Sequence, residues 1–273
     1  SEADWLGGMP RMKRRYSTIL TVLILLCFSG WSVGTGSAAE PLVSDRPDFT
    51  ESPETVAPGR FQLEAGYTFT RGGDDKQHAL GELLLRIGLW EHIELQLGGN
   101  SYVWLDSPDG DADGFEDLSL GVKIKLLEGS ERFELTRPTV GVIIATTLPT
   151  GADDLGEDEP QPEFVLAMAW DLSERFSLGS NLNYAYASED GDRFHQFSGS
   201  VALGITLTEK WGTYIEYFGF VPESDDGPNT SFFNGGFTYL INDDLQLDAR
   251  IGVGVFNGRS PDYFTGAGVS WRW

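Results

Sequence analysis

Cysteine is nearly missing from this 273-residue chain, with Cys27 its single example. That residue lies in an N-terminal apolar stretch, and Leu26 before it is bulkier than lipid attachment to a cysteine tolerates. The remainder therefore has no disulfide, no thiolate nucleophile and no cysteine-bound metal, so backbone pairing and packing must hold the fold. Histidine is scarce as well: His78, His92 and His195 are too scattered to pair as metal ligands. Positive charge is in short supply, with 19 Lys and Arg against 42 Asp and Glu and a net charge of −23. Residues 1–39 hold four bases and two acids, which leaves −25 on residues 40–273. So acidic a surface repels phosphate, and nucleic acid is not an expected partner. No stretch reaches the roughly 20 apolar residues of a transmembrane helix, and nothing in the pattern calls for a cofactor.

What is present begins with a leader. Lys13-Arg14-Arg15 is followed by an apolar run from Ile19 to Phe28, broken only by Thr21, and by small residues up to Ser37-Ala38-Ala39. This reads as a secretory signal peptide starting at Met12 and cleaved after Ala39, with residues 1–11 as upstream read-through. The apolar run is too short for a membrane anchor.

The other end carries the strongest signal. In Tyr263-Phe-Thr-Gly-Ala-Gly-Val-Ser-Trp-Arg-Trp273, one strand face holds Tyr263, Thr265, Ala267, Val269, Trp271 and Trp273. The other face holds Gly266, Gly268, Ser270 and Arg272. A strand with one greasy and one polar face, ending on an aromatic, reads as the closing strand of a transmembrane β-barrel. Exposed indoles at a soluble protein's end would promote association, whereas in a membrane they rest among lipid headgroups. Trp273 is then the expected contact for the barrel-assembly machinery.

Units of about ten residues with period-two alternation recur along the chain. In the first, Phe61, Leu63, Ala65, Tyr67 and Phe69 oppose Gln62, Glu64, Gly66 and Thr68. The fourth sets Leu118, Leu120, Val122, Ile124 and Leu126 against Ser119, Gly121, Lys123 and Lys125. Others centre on Leu83–Leu89 or begin near Ile93, Pro138, Glu163, Phe176, Phe194, Trp211, Ser231, Leu245 and Tyr263. The count predicts an all-β, antiparallel up-and-down transmembrane barrel of about 12 strands spanning residues 60–273, with a 40–59 segment before it. The strand from Trp211 is ambiguous, because Tyr214, Phe218 and Phe220 compete with Ile215 and Tyr217 for the lipid face.

Connections alternate in length. Short turns at Trp90–His92, Ser173–Arg175, Thr208–Lys210 and Asn242–Asp244 belong to the periplasmic side. Longer loops are expected outside at 71–77, 106–114, 150–162, 188–193, 222–229 and 257–262, with 128–137 too long for its side. Trp90, Trp170, Phe176, Trp211, Tyr239, Trp271 and Trp273 predict a lower aromatic girdle. Trp104, Tyr186, Phe197, Phe233, Phe256 and Tyr263 predict an upper one. A soluble two-sheet sandwich would also alternate, but it needs no aromatic girdles.

Ser44-Asp-Arg-Pro-Asp-Phe-Thr-Glu-Ser-Pro53 and Val56-Ala-Pro-Gly-Arg-Phe-Gln-Leu-Glu-Ala-Gly66 resemble the opening of the "MetA-pathway of phenol degradation" family. Gly114-Phe-Glu-Asp-Leu-Ser-Leu-Gly-Val-Lys123 and Leu148-Pro-Thr-Gly151 extend the resemblance along the chain. It implies a bacterial outer-membrane barrel that passes small, in part aromatic, solutes, with lipid and lipopolysaccharide as its surroundings.

Inward charges are the first candidate site: Glu64, Glu82, Arg86, Glu94, Lys123, Lys125, Glu216, Asp248 and Arg250 should face the lumen, most of them on one wall. They would select solutes in a water-filled pore, or pair with one another and fill the interior. The segment 45–58 is the second: Asp45, Arg46, Asp48 and Glu51 would plug or gate the lumen, unless the segment is a loose periplasmic tail. Third, Asp109, Asp111 and Asp113 before Gly114 copy half a calcium loop, but Leu120 stands where a bidentate Glu is needed. A solvated acidic loop explains them as well. No enzyme is expected; His195 near Ser198 and Ser200 is the single seed of a nucleophile–base pair.

Overall fold

The computed structural model describes residues 41–108, 110–130, 133–152, 155–189, 191–222, 227, 229–255 and 261–273. Thirteen strands form in chain order: β1 (Phe61–Gly72), β2 (Asp75–Trp90), β3 (Ile93–Asp106), β4 (Ala112–Phe115), β5 (Leu118–Leu127), β6 (Thr139–Leu148), β7 (Gln161–Asp171), β8 (Phe176–Glu189), β9 (Asp192–Thr206), β10 (Trp211–Val221), β11 (Thr230–Asn242), β12 (Leu245–Gly254) and β13 (Tyr263–Arg272). Each pairs antiparallel with its neighbours, and β1 pairs with both β2 and β13, so the sheet closes on itself. The four-residue β4 pairs only with the outer end of β3. Among the described residues the barrel wall therefore has twelve strands.

Closure is what the setting demands. A sheet in hydrocarbon has no water to satisfy an open edge, so every strand needs two partners. The seam is sealed by Phe61 N–H donating to Trp273 C=O at 3.0 Å and Trp273 N–H donating to Phe61 C=O at 2.9 Å. No helix among the described residues is long and apolar enough to cross a membrane.

The alternation sorts side chains as its period requires. Ile144, Leu182, Ile215, Phe237 and Ile251 stand more than half exposed on the outer face. Gln62, Glu94, Lys123, Asn181 and Ser270 are at most 1% exposed inside. The ambiguous β10 resolves cleanly: Ile215 (61%) and Tyr217 (36%) face lipid, while Tyr214 (6%) and Phe218 (7%) face inward. Trp90, Trp211 and Trp271 mark one rim and Trp104, Phe197 and Phe233 the other. Phe256 lies outside the described residues.

Two expected outer loops are not loops. At 71–77 and 188–193 the strands run on and reverse in tight turns, with Gly73 (φ 61°) and Gly191 (φ 85°) in the left-handed region that lets a short hairpin close. A second irregularity sits mid-wall in β2. Gly81 (φ 123°) and Glu82 (φ 41°) form a bulge, across which pairing slips on both flanking strands. Leu80 and Leu83 thus both reach lipid, and Glu82 turns inward.

Candidate functional site

The segment 41–60 runs inside the barrel. Prolines at 41, 47, 53 and 58 deprive it of ladder donors, so it forms neither helix nor strand. Its remaining backbone N–H groups still need partners, and lumenal side chains supply them. Glu216 accepts from Phe49 N–H (2.9 Å) and Thr50 N–H (2.7 Å), and Glu94 accepts from Val56 N–H (2.7 Å). Glu64 accepts from Asp45 N–H (3.2 Å) and Asn181 from Glu51 N–H (2.6 Å). At the inner rim, Gly59 N–H donates to Gly88 C=O and Leu42 N–H to Asp243 C=O.

Two ion-pair networks lock the insert. In the first, Arg86 is the hub: Nε donates to Glu94 (2.8 Å), and Nη1 reaches Glu64 and Asp45 (both 3.2 Å). Arg86 Nη2 also donates to Glu54 C=O at 2.8 Å. Lys123 Nζ sits 2.7 Å from Asp45 and 3.9 Å from Glu51. In the second, Arg46 of the insert spans Glu82 (2.5 Å) and both oxygens of Asp248 (3.3 Å). Arg250 meets Glu82 (3.2 Å), Thr68 (2.8 Å) and Pro47 C=O (3.0 Å). Lys125 bridges Glu54 and Glu128. All nine lumenal charges named from the sequence therefore touch the segment 43–56. Eight of them lie on the contiguous arc β12–β13–β1–β2–β3–β5, in which β13 carries none, and Glu216 on β10 stands apart.

Glycine in the wall makes room. Gly66 and Gly268 are cross-strand partners, and the Arg46 guanidinium lies over the pair, only 2.3–2.4 Å from where a Cβ would stand at either. A Cβ at Gly88 would stand 2.0 Å from Ala57 C=O. Pro53 rests on Gly141 beside the apolar patch of Ile143, Val165 and Ala167.

Burial raises the Asp45 carboxyl, but Arg86 and Lys123 outweigh it and hold the group below its ordinary range. At Asp48 burial, with the Glu216 charge, outweighs the pull of Arg250 and pushes the carboxyl well up. Burial also raises Glu51, to about 8, against the pull of Lys123.

Above the insert lies a cavity of about 620 Å3. One side is aromatic: Phe49 of the insert stacks on Phe218 at 4.6 Å, Phe218 stacks on Phe232 at 4.8 Å, and Phe220 and Phe264 present edges. The adjoining wall of β7, β8 and β9 is polar, with Glu163, Asn183, Gln196 and Ser198. Sequence reading missed this chamber, although the inward parity of Glu216 already placed Phe218 and Phe220 on its face.

The remaining candidates lie elsewhere. Asp111 is exposed just before β4 and Asp113 is exposed on that strand, accepting from the Tyr102 hydroxyl, and Asp109 lies outside the described residues. Among the described residues no three His, Cys, Asp or Glu side chains converge on a metal site. His195 pairs with the Tyr184 hydroxyl at 2.9 Å on the outer face, whereas Ser200 points inward and bonds Thr50. The proposed nucleophile–base seed is thus split between the two faces of the sheet. Two of the quoted segments, around Asp117 and Gly151, form one clasp. The Asp117 carboxylate accepts from the N–H groups of Thr150 (2.9 Å), Gly151 (2.7 Å) and Glu157 (3.0 Å), fixing the β6–β7 loop at the mouth.

Solved structures share this architecture. An outer-membrane channel from Pseudomonas putida F1 superposes with a TM-score of 0.64 at 16% identity, covering 81% of this chain and 97% of that one. The NanC porin gives 0.53 at 12% identity, over 77% and 98%, and the KdgM porin 0.51 at 9%, over 77% and 98%. Identities this low establish the fold alone, that of a bacterial outer-membrane barrel. No curated protein matches the chain. The sequence nevertheless matches one family across residues 44–273, from the lumenal insert through the closing strand, and the chain belongs to that family, described as "Putative MetA-pathway of phenol degradation".

Proposed function

We propose that the barrel is a channel for small solutes bearing an aromatic or other apolar group, and that the segment 41–60 gates it. The observation that carries this reading is the division of the lumen. The insert occupies the inner part, and a phenylalanine-walled chamber lies above it, on the side of the longer loops. A concave site with an apolar wall and a few placed polar groups suits a small organic molecule. The lumenal charges would act as the selectivity filter once the insert moves, since each of them is now engaged with it.

A second reading has its own observation. Arg86, Glu94 and Lys123 are at most 1% exposed and mutually neutralised through Asp45, as in a permanently filled barrel. Planar-bilayer recording of the folded protein separates the two. Discrete conductance that rises when residues 41–58 are deleted supports a gated channel. A silent bilayer for both the whole chain and the deletion, with protein that is demonstrably folded, supports the filled barrel.

A further inference from the structure

We propose that the chamber above the insert is a binding site for a small aromatic cation, an aryl ring carrying a protonated amine. This deepens the channel reading and rests on it for its physiological meaning, but the binding itself is independent of conduction.

The inference starts from carboxylates left over after the ion pairs are drawn. Arg46 and Arg250 are committed to Glu82, Asp248 and Pro47 C=O, and Lys123 to Asp45. Asp48 and Glu163 line the chamber with no cation in ion-pair range among the described residues. The nearest cation to Glu51 is Lys123, at 3.9 Å. Three carboxyl groups thus bound one space, two of them with no cation in ion-pair range and Glu51 reached only by Lys123, which Asp45 holds more closely.

A second observation is independent of them. Asn234 lines the same chamber at 7% exposure, donates to Glu216, and its side-chain oxygen has no hydrogen-bond partner. A buried acceptor without a donor costs free energy, and a ligand N–H would satisfy it. The chamber therefore offers acceptors and negative charge, and asks for donors and positive charge.

The aromatic half fixes the rest of the ligand. Glu163 is on β7 and Phe264 on β13, which are six strands apart around the ring of twelve and so face each other across the lumen. Gly252 lets the Phe264 ring lean inward, since a Cβ there would stand 2.2 Å from the ring. A ligand with a ring at one end and an ammonium at the other spans this polarity. The wall already shows the chemistry, with Arg250 held 5.6 Å from the Phe264 centroid. Burial holds Asp48 and Glu51 above their ordinary range. A bound cation would draw out their protons, so affinity should rise with pH towards about 8.

Calorimetric titration of the detergent-folded protein with phenylethylammonium, phenylethanol and phenylacetate tests the proposal, because the three share a ring and differ in charge. The ammonium should bind at least about tenfold more tightly than the alcohol, and the acetate more weakly still. Glu163→Gln and Glu51→Gln should each weaken ammonium binding several-fold while leaving the alcohol unchanged, with heat-modifiability on gels confirming folded variants. Equal affinity for ammonium and alcohol, preference for the acetate, or indifference to both Gln substitutions would overturn it. Conduction without this preference would remove the cation site and leave the channel reading standing. Preference without conduction would do the reverse.

Discussion

Replacing Asp45 by Asn should release the insert without unfolding the barrel. The Asp45 carboxylate is 5% exposed, 2.7 Å from Lys123 and 3.2 Å from Arg86, and its other oxygen accepts from Ser52 N–H at 3.0 Å. Asparagine keeps the shape and the Ser52 acceptor but removes the charge. Lys123, fully buried, is then left with Glu51 at 3.9 Å as its nearest carboxylate. Removing one partner of a buried ion pair costs about 3–5 kcal/mol, because the other charge stays desolvated. The strand ladders do not involve Asp45, so this cost falls on docking of the insert, which the lumen escapes by letting the segment leave and water enter. At 1.36 kcal/mol per decade, docking weakens by about two to four orders of magnitude. Single-channel recording should show larger or more frequent openings in D45N, and limited proteolysis should cut between residues 41 and 60 where the parent chain is protected. Adding Lys123→Met removes the orphaned charge, so the double variant should regain much of the protection. D45N with parental conductance and parental protease resistance would refute the role given to this ion pair.

Three further outcomes follow from the same geometry. Glu51 is raised in the docked insert from 4.5 to about 8, mainly by burial, so docking favours its protonated form. The Glu51 contribution to docking is therefore complete below pH 4.5 and is lost as pH climbs to about 8; open probability should rise across that window, and Glu51→Gln should flatten the profile. Gly88→Ala places a methyl 2.0 Å from Ala57 C=O, so the insert backbone must shift. The expected cost is about 1–3 kcal/mol, read as protease cleavage near residues 55–60 of a barrel that remains heat-modifiable. Asp117→Ala strips the acceptor from three N–H groups of the β6–β7 loop, at about 1–3 kcal/mol for each that stays unsatisfied. Cleavage within residues 150–157 should accelerate at least about tenfold while the insert stays protected.

The barrel wall was readable from alternation because lipid and lumen impose opposite demands at every second residue. A charge such as Lys123 or Glu94 has one tolerable side, so its face follows from its type. Position along the strand was less readable where the backbone departs from the period. The Gly81–Glu82 bulge adds a residue to β2, and the turns at Gly73 and Gly191 shorten loops that composition made look long. Neither departure leaves a pattern that counting in twos detects.

Phenylalanine is the harder case, because both lipid and a packed interior accept it. Phe218 and Phe220 looked like lipid-facing residues by type, yet the ladder carries them inward with Glu216, which cannot face lipid. One charge thus settles the face of every aromatic that shares its parity on a regular strand, and β10 pairs with β9 and β11 without a register shift. What fills the space is a different kind of information. Glu64, Glu94 and Glu216 read as a selectivity filter because an inward carboxylate in water is a filter. Their partners turned out to be backbone N–H groups of a proline-rich segment up to 167 residues away, a pairing that local periodicity does not encode. The opening segment is where such encoding resides, since Asp45, Arg46 and Thr50 each meet a different part of the wall. A segment rich in proline and charge that alternates as neither helix nor strand is itself a sign that its partners lie on another part of the chain.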